Sequence, residues 1–311
     1  MQHYDTLLKR HPENPLITPR DFPYGNADAV FNCGQTMYDG KTILLLSVLL
    51  ADHPRARIHV AESTDGVNFT IHEKPLMHGE MLDDPALRAL DSHPIDTRVT
   101  KIDDTYYIIR PGRQAMDFLF KTKDFQTCEF VDVIALGHNR VPCLFPEKID
   151  GYYWRLDRPS FGNPPENRGE IWISRSPDLV HWGHFRPLLK PFIHWGSFKI
   201  GPTPPIRTEK GWLELIHGVK RNCSTARYSL GALLLDLDDP TVILGRMNSY
   251  LLAPEMEYEY AGRVPDVVFT CGGIADMETR KLRVYYGGAD TCIALATGDL
   301  DEILDACLAG K

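Results

Sequence analysis

A pattern that returns along this chain constrains its fold more than any other feature. A short apolar strand, a small or polar residue, an acidic turn and then an aromatic or branched residue recur in RIHVAESTDGVNF, DFLFKTKDFQTCEF, IWISRSPDLVHW, GALLLDLDDPTVI and CIALATGDLDEIL. Asp65, Asp124, Asp178, Asp239 and Asp299 mark the five turns, roughly 55 to 60 residues apart, a period in the range of propeller blades. Before each lies a second unit, a turn and then a β-rich run: MYDGKTILLLSV, KIDDTYYIIR, KIDGYYWRL, TEKGWLELIHGV and TRKLRVYYGGAD. Five copies of such a pair, with further strands between them, build small antiparallel sheets around an axis better than they build a sandwich. Generic hairpins that imitate a repeat are the bland alternative. The expectation is an all-β, five-bladed β-propeller forming one catalytic domain over residues 1–311, with a short helix only at the C-terminus, Asp301–Leu308.

The 311 residues, 43% hydrophobic, suffice for a large core. The formal net charge of -8 provides no global basic field for nucleic acid or an anionic membrane, so any anion site must be a local cluster. Seven scattered cysteines include no C-x-x-C pair and read as reduced, buried thiols rather than zinc ligands or a redox couple. No apolar run approaches a membrane span, and Met1–Pro12 has no apolar leader core, which together suggest a cytoplasmic enzyme.

Propellers gather strand ends and loops at the axis, so polar residues beside the strand signals are the site candidates. Asp96 and Arg98 share a loop with Pro94 that can hold side chains toward a cavity, although a local ion pair would explain them equally well. Arg140, Arg158 and Lys199 interrupt apolar or stiff surroundings, where a cation is costly without an anionic partner. Singly each reads as a salt bridge or a snorkelling side chain; together, from different blades, they would hold phosphate or carboxylate. His217 ends a strand and could donate to the same anion, a satisfied core histidine being the plainer reading. Arg57, Asp157, Asp266 and Asp290 are of the kind that binds sugar hydroxyls, and Tyr228, Trp154 and Trp195 could offer faces to a pyranose, though core packing explains such aromatics as well. P-loop, H-E-x-x-H and G-x-S-x-G motifs are absent, which leaves carboxylate chemistry.

At these residues the chain resembles glycoside hydrolase family 130, the β-mannoside phosphorylases and related mannosidases. NPLITPRDFP, VFNCGQTMYDGKTILLL, DTRVTKIDDTYYI, LFPEKIDGYYWRLDRPS, KIGPTPPIRTEKGWLELIHGV and LRVYYGGADT carry the likeness over nearly the whole length. The resemblance implies a five-bladed propeller and makes Asp96 the general acid, in a segment where Thr97 stands in place of a frequent proline. It implies phosphate binding by Arg140, Arg158 and Lys199 with His217 and Tyr228, and a mannose subsite near Asn32, Arg57, Asp157 and Asp290. It also implies a proton relay through the sugar's 3-hydroxyl.

An inverting glycosidase needs an acid and a base, whereas phosphate is already nucleophilic and needs only to be held in line. One carboxylic acid and a cationic cluster therefore form a coherent set. The expected reaction is inverting phosphorolysis of β-mannosides to α-mannose 1-phosphate, with phosphate as co-substrate and no cofactor or metal. Two rivals stand: a hydrolase on the same fold with Asp266 or Asp290 as base, and a non-catalytic glycan-binding propeller. Linkage, acceptor and homo-oligomeric state are not fixed by the sequence.

Overall fold

The computed structural model describes residues 6–310 apart from 54, 80, 92–93, 113–114, 141, 162–167, 193 and 222–224. Its strands form five principal antiparallel sheets that follow one another along the chain, a five-bladed propeller. The blades open with Ala27–Tyr38, Arg98–Ile102, Cys143–Leu144, Lys199–Gly201 and Val268–Thr270. The first strand of blade 2 touches those of blades 1 and 3, and the first strand of blade 1 also touches that of blade 5, which places these strands toward the axis.

The second and third strands are the two recurring units of the sequence. In blade 1 these are Lys41–Leu50 and Arg57–Ser63, paired from Thr42↔Ser63 to Val48↔Arg57. Side chains alternate across a strand, yet Ile43, Leu44, Leu45 and Leu46 are all buried. The reason is that both faces are covered: Ile43 and Leu45 pack with Val99, Ile108 and Phe118 of blade 2, while Leu44 and Leu46 pack with Tyr285, Ile293 and Leu295 of blade 5. A continuous apolar run is what a strand buried on both faces requires.

The acidic turns close the third strands. Asp65 Oδ1 accepts the N–H groups of Val67 and Asn68, Asp124 Oδ1 those of Gln126 and Thr127, and Asp178 Oδ1 those of Val180 and His181. Such side-chain caps replace the ladder bonds that end at the turn. In blade 4 the equivalent cap is Asp236, which accepts from Asp238 and Asp239; Asp239 caps Thr241 one turn later. The run DLDD offers several acids, and the repeat reading chose one too far along. Asp299 instead caps a helix, Leu300–Ala309, by accepting the Glu302 N–H, and that helix seats Leu300, Ile303, Leu304 and Cys307 against blades 4 and 5.

The ring closes at blade 5, where the N-terminal strand Lys9–Arg10 pairs with Thr297 and Ala296. Arg10 then makes a two-pronged bond to Glu259, Nε to Oε1 and Nη2 to Oε2, both at 2.8 Å. Of the six described cysteines five are buried and Cys128 is partly so; Cys223 lies outside the described residues. Trp154 and Trp195 belong to the core between blades 3 and 4 rather than to a ligand face.

Candidate active site

A polar cavity of about 180 Å³ gathers residues from all five blades or their connectors: Asn32 from blade 1, Asp96 ahead of blade 2, Arg140 and Arg158 from the blade 3 segment, Lys199 and Tyr228 from blade 4, and Asp290 from blade 5. The chain reaches it by bending. Asn32, Asp96 and Asp290 take φ of 43°, 53° and 49°, a left-handed conformation that Asn and Asp tolerate better than other side-chain-bearing residues. Asparagine and aspartate thus serve here as both backbone hinges and functional groups.

One wall is acidic. Asn32 Nδ2 donates to Asp96 Oδ1 at 2.9 Å and to Asp290 Oδ1 at 3.1 Å, joining the two carboxyl groups through one amide. Ser47 fixes both neighbours, its Oγ accepting the Asp96 N–H at 3.1 Å and donating to the Asn32 carbonyl at 3.1 Å. Burial, and then the nearby Asp96, push the Asp290 carboxyl up to about 6.

The opposite wall is cationic. Arg140 N–H donates to the Arg158 carbonyl at 3.2 Å and Ser160 N–H to the His138 carbonyl at 2.7 Å, on either side of the bridge Asn139↔Pro159. This short antiparallel pairing puts Arg140 and Arg158 directly opposite each other, where like charges repel. Lys199, Val219 and Tyr228 line up across three strands of blade 4, and Lys199 Nζ lies 4.9 Å from the Tyr228 ring centre. Burial lowers Lys199 to about 7, helped by Arg158 and Arg140; burial likewise lowers Arg158 to about 10, with Arg140 next. Among the described residues none of the three forms an ion pair with a carboxylate. Three cations held together at a cost to their own charge form a cluster that an anion from solution would relieve.

Five expected site residues lie outside this cavity. His217 sits behind it, with Nε2 3.2 Å from Arg158 Nη1 and its ring 4.7 Å from Phe269. Burial and the adjacent cations keep its pKa well below the usual histidine value, so the neutral ring accepts from Arg158 rather than donating to an anion. Arg98 is buried and spans to the carbonyls of Pro202 and Thr270, a tie across the axis. Asp157 is taken up by Arg155, Asn139 and Ser174. Asp266 turns its carboxyl toward Arg227 at 3.9 Å, and only its carbonyl serves the site, holding the Tyr228 N–H. Arg57 begins the third strand of blade 1, paired with His78, and does not reach the cavity. Phe31, Ile95, Val264, Val267 and Phe269 complete the lining. Being apolar they gave no sequence signal of their own, but three of them are immediate neighbours of Asn32, Asp96 and Asp266. A roomier cleft of about 770 Å³, lined by Leu136, Trp172, Trp182 and Phe185, contains neither Asp96 nor the cationic trio.

Fold and cavity define a class: a five-bladed propeller whose polar cavity is lined by the carboxyl groups of Asp96 and Asp290 and by the cations Arg140, Arg158 and Lys199. The profile of glycoside hydrolase family 130, described as beta-1,4-mannooligosaccharide phosphorylase, matches residues 8–309, and the chain belongs to that family. It is 32% identical to the beta-1,4-mannooligosaccharide phosphorylase of Ruminococcus albus, over 96% of this chain and 90% of that one. The 1,2-beta-oligomannan phosphorylase of a Thermoanaerobacter species is 35% identical, over 95% of this chain and 98% of its own. Among solved structures, the beta-1,2-mannobiose phosphorylase of Listeria innocua, in complex with beta-1,2-mannobiose, superposes with a TM-score of 0.85 at 32% identity, covering 97% of this chain and 99% of that one.

Proposed function

We propose that the protein cleaves β-mannosides with inorganic phosphate, inverting the anomeric carbon to give α-mannose 1-phosphate and a shortened sugar. The observation that carries this reading is the pairing of walls: one acid group around Asp96, and opposite it three cations without a carboxylate partner among the described residues. Phosphate seated between Arg140, Arg158 and Lys199 offers an oxygen to C1, so the bond from C1 to the leaving oxygen breaks as the phosphate oxygen bonds to C1. Asp96 supplies the proton to the departing oxygen and ends as a carboxylate. No base is needed, because the nucleophile is already anionic.

Asp290 and Asn32 sit beside Asp96 and are placed to bind mannose hydroxyls. His217 supports Arg158 from behind, and Tyr228 gives Lys199 an aromatic face. The named relatives act on both 1,4- and 1,2-linked mannosides, so the linkage is to be measured rather than transferred. The test is release of mannose and mannose 1-phosphate from a panel of β-1,4- and β-1,2-linked mannosides, with and without phosphate. Phosphate-dependent mannose 1-phosphate supports the reading and names the acceptor; free mannose at a phosphate-independent rate replaces it with hydrolysis.

A further inference from the structure

The cationic wall raises a physical question: what holds Arg140 and Arg158 face to face when no anion is between them. Their backbones are joined by the bond from Arg140 N–H to the Arg158 carbonyl, which fixes the pairing but not its attachment to the blade. That attachment runs through Asn139. Its Oδ1 accepts the Arg158 N–H at 2.9 Å, and its Nδ2 donates to Asp157 Oδ1 at 2.8 Å. Asp157 is itself immobilised, by Ser174 Oγ at 2.6 Å on Oδ2 and by Arg155 Nε at 2.8 Å on Oδ1. Arg155 reaches across to the Ile134 carbonyl of blade 2 at 3.1 Å, with its guanidinium 4.2 Å from the centre of the Trp182 ring.

We propose that Asn139 is a positioning residue for the phosphate nucleophile: one side chain clips the segment bearing Arg140 to the strand end bearing Arg158, and anchors both to the buried Arg155–Asp157 pair. The proposal deepens the phosphorolysis reading and rests on it. Asp157, although it touches no part of the cavity, becomes the anchor of the clamp. An amide suits position 139 because it must accept from a backbone N–H and donate to a carboxylate at once; an aspartate there would face Asp157 with like charge, and a leucine would satisfy neither. Holding the guanidiniums in place before phosphate arrives spares the nucleophile's binding energy the cost of gathering them.

A merely structural asparagine would lower stability, or weaken both substrates together. A positioning residue should separate them. Initial rates of wild type and Asn139→Ala are measured with phosphate varied at saturating mannoside and with mannoside varied at saturating phosphate, alongside thermal melts. The expected result is a phosphate KM raised about tenfold or more, with the mannoside KM changed by less than about twofold. Asn139→Ser, whose hydroxyl can meet only one partner, serves if the alanine variant does not fold and should shift phosphate KM in the same direction. An unchanged phosphate KM in a folded variant, a parallel rise in both KM values, or failure of both variants to fold overturns the inference while leaving phosphorolysis intact. Phosphate-independent turnover by the wild type would instead remove the reading beneath it.

Discussion

Asn32 donates through one amide nitrogen to Asp96 at 2.9 Å and to Asp290 at 3.1 Å, so the two carboxyl groups of the site are held as a unit. Only Asp96 is assigned the proton, and the substitution that tests it must not disturb the backbone. Asparagine keeps the size of aspartate and tolerates the φ of 53° found at position 96. Asp96→Asn should lower kcat by roughly a hundredfold to ten-thousandfold. Mannoside affinity, read by calorimetry, should be largely retained; loss of both would make Asp96 a structural residue.

The Asn32 amide has little freedom to move. Its Oδ1 is buried, and a methyl group added at Gly287 on the neighbouring strand would overlap it. Gly287→Ala should therefore push Asn32 off the two carboxyls and depress kcat at a site where the new side chain touches no substrate. Kinetics with full wild-type activity in this variant would show that the bridge is dispensable.

Lys199 and Asp290 set the pH response. With Lys199 lowered to about 7, its ammonium is charged below that pH and neutral above it, so the phosphate KM should climb as pH passes through about 7. Asp290, raised to about 6, gains its charge above about pH 6, which places an acidic limb on the mannoside side. Lys199→Arg keeps a cation throughout and should flatten the alkaline rise in phosphate KM. Phosphate's own ionisation acts on both proteins alike, so the difference between their profiles isolates the lysine. Identical profiles would mean that Lys199 carries no charge that phosphate feels.

Sequence and structure agree most where a residue's role is repeated. The second strand of blade 1 was legible because it is buried on both faces and so written as an unbroken apolar run from Ile43 to Leu46. The acidic turns were legible because a backbone turn needs an acceptor at a fixed place, although three acids in the blade 4 turn, Asp236, Asp238 and Asp239, hid which one does the capping. Asp96, Arg140, Arg158, Lys199, Tyr228, Asn32 and Asp290 do meet in one cavity. Arg98, Asp157, Asp266, Arg57 and His217 do not, because a strand places successive residues on opposite faces and the chain's charge pattern does not record which way each looks. Asp157 and Arg158 are adjacent, yet one is held by Arg155, Asn139 and Ser174 and the other lines the cavity.

Closure of the ring offers a stability test far from the chemistry. Glu259 is fully buried, held by Arg10, by the Tyr286 hydroxyl and by the N–H groups of Glu255 and Met256. Arg10→Ala would leave that carboxylate without its cation and should destabilise the protein by on the order of 3 kcal/mol. Denaturant unfolding would measure it, and a change below about 0.5 kcal/mol would reduce the pair to an exposed contact.

Because residues 9 and 10 complete the sheet that holds Cys292–Asp299, the strand Lys9–Arg10 has no lasting partner until residues 296 and 297 have been made. A ribosome-bound intermediate could stack four blades and still lack both Asp290 and the strand on which Lys9–Arg10 closes the ring. Competence would then arrive in a single late step, when Lys9–Arg10 meets Cys292–Asp299 and Asp290 joins the cavity.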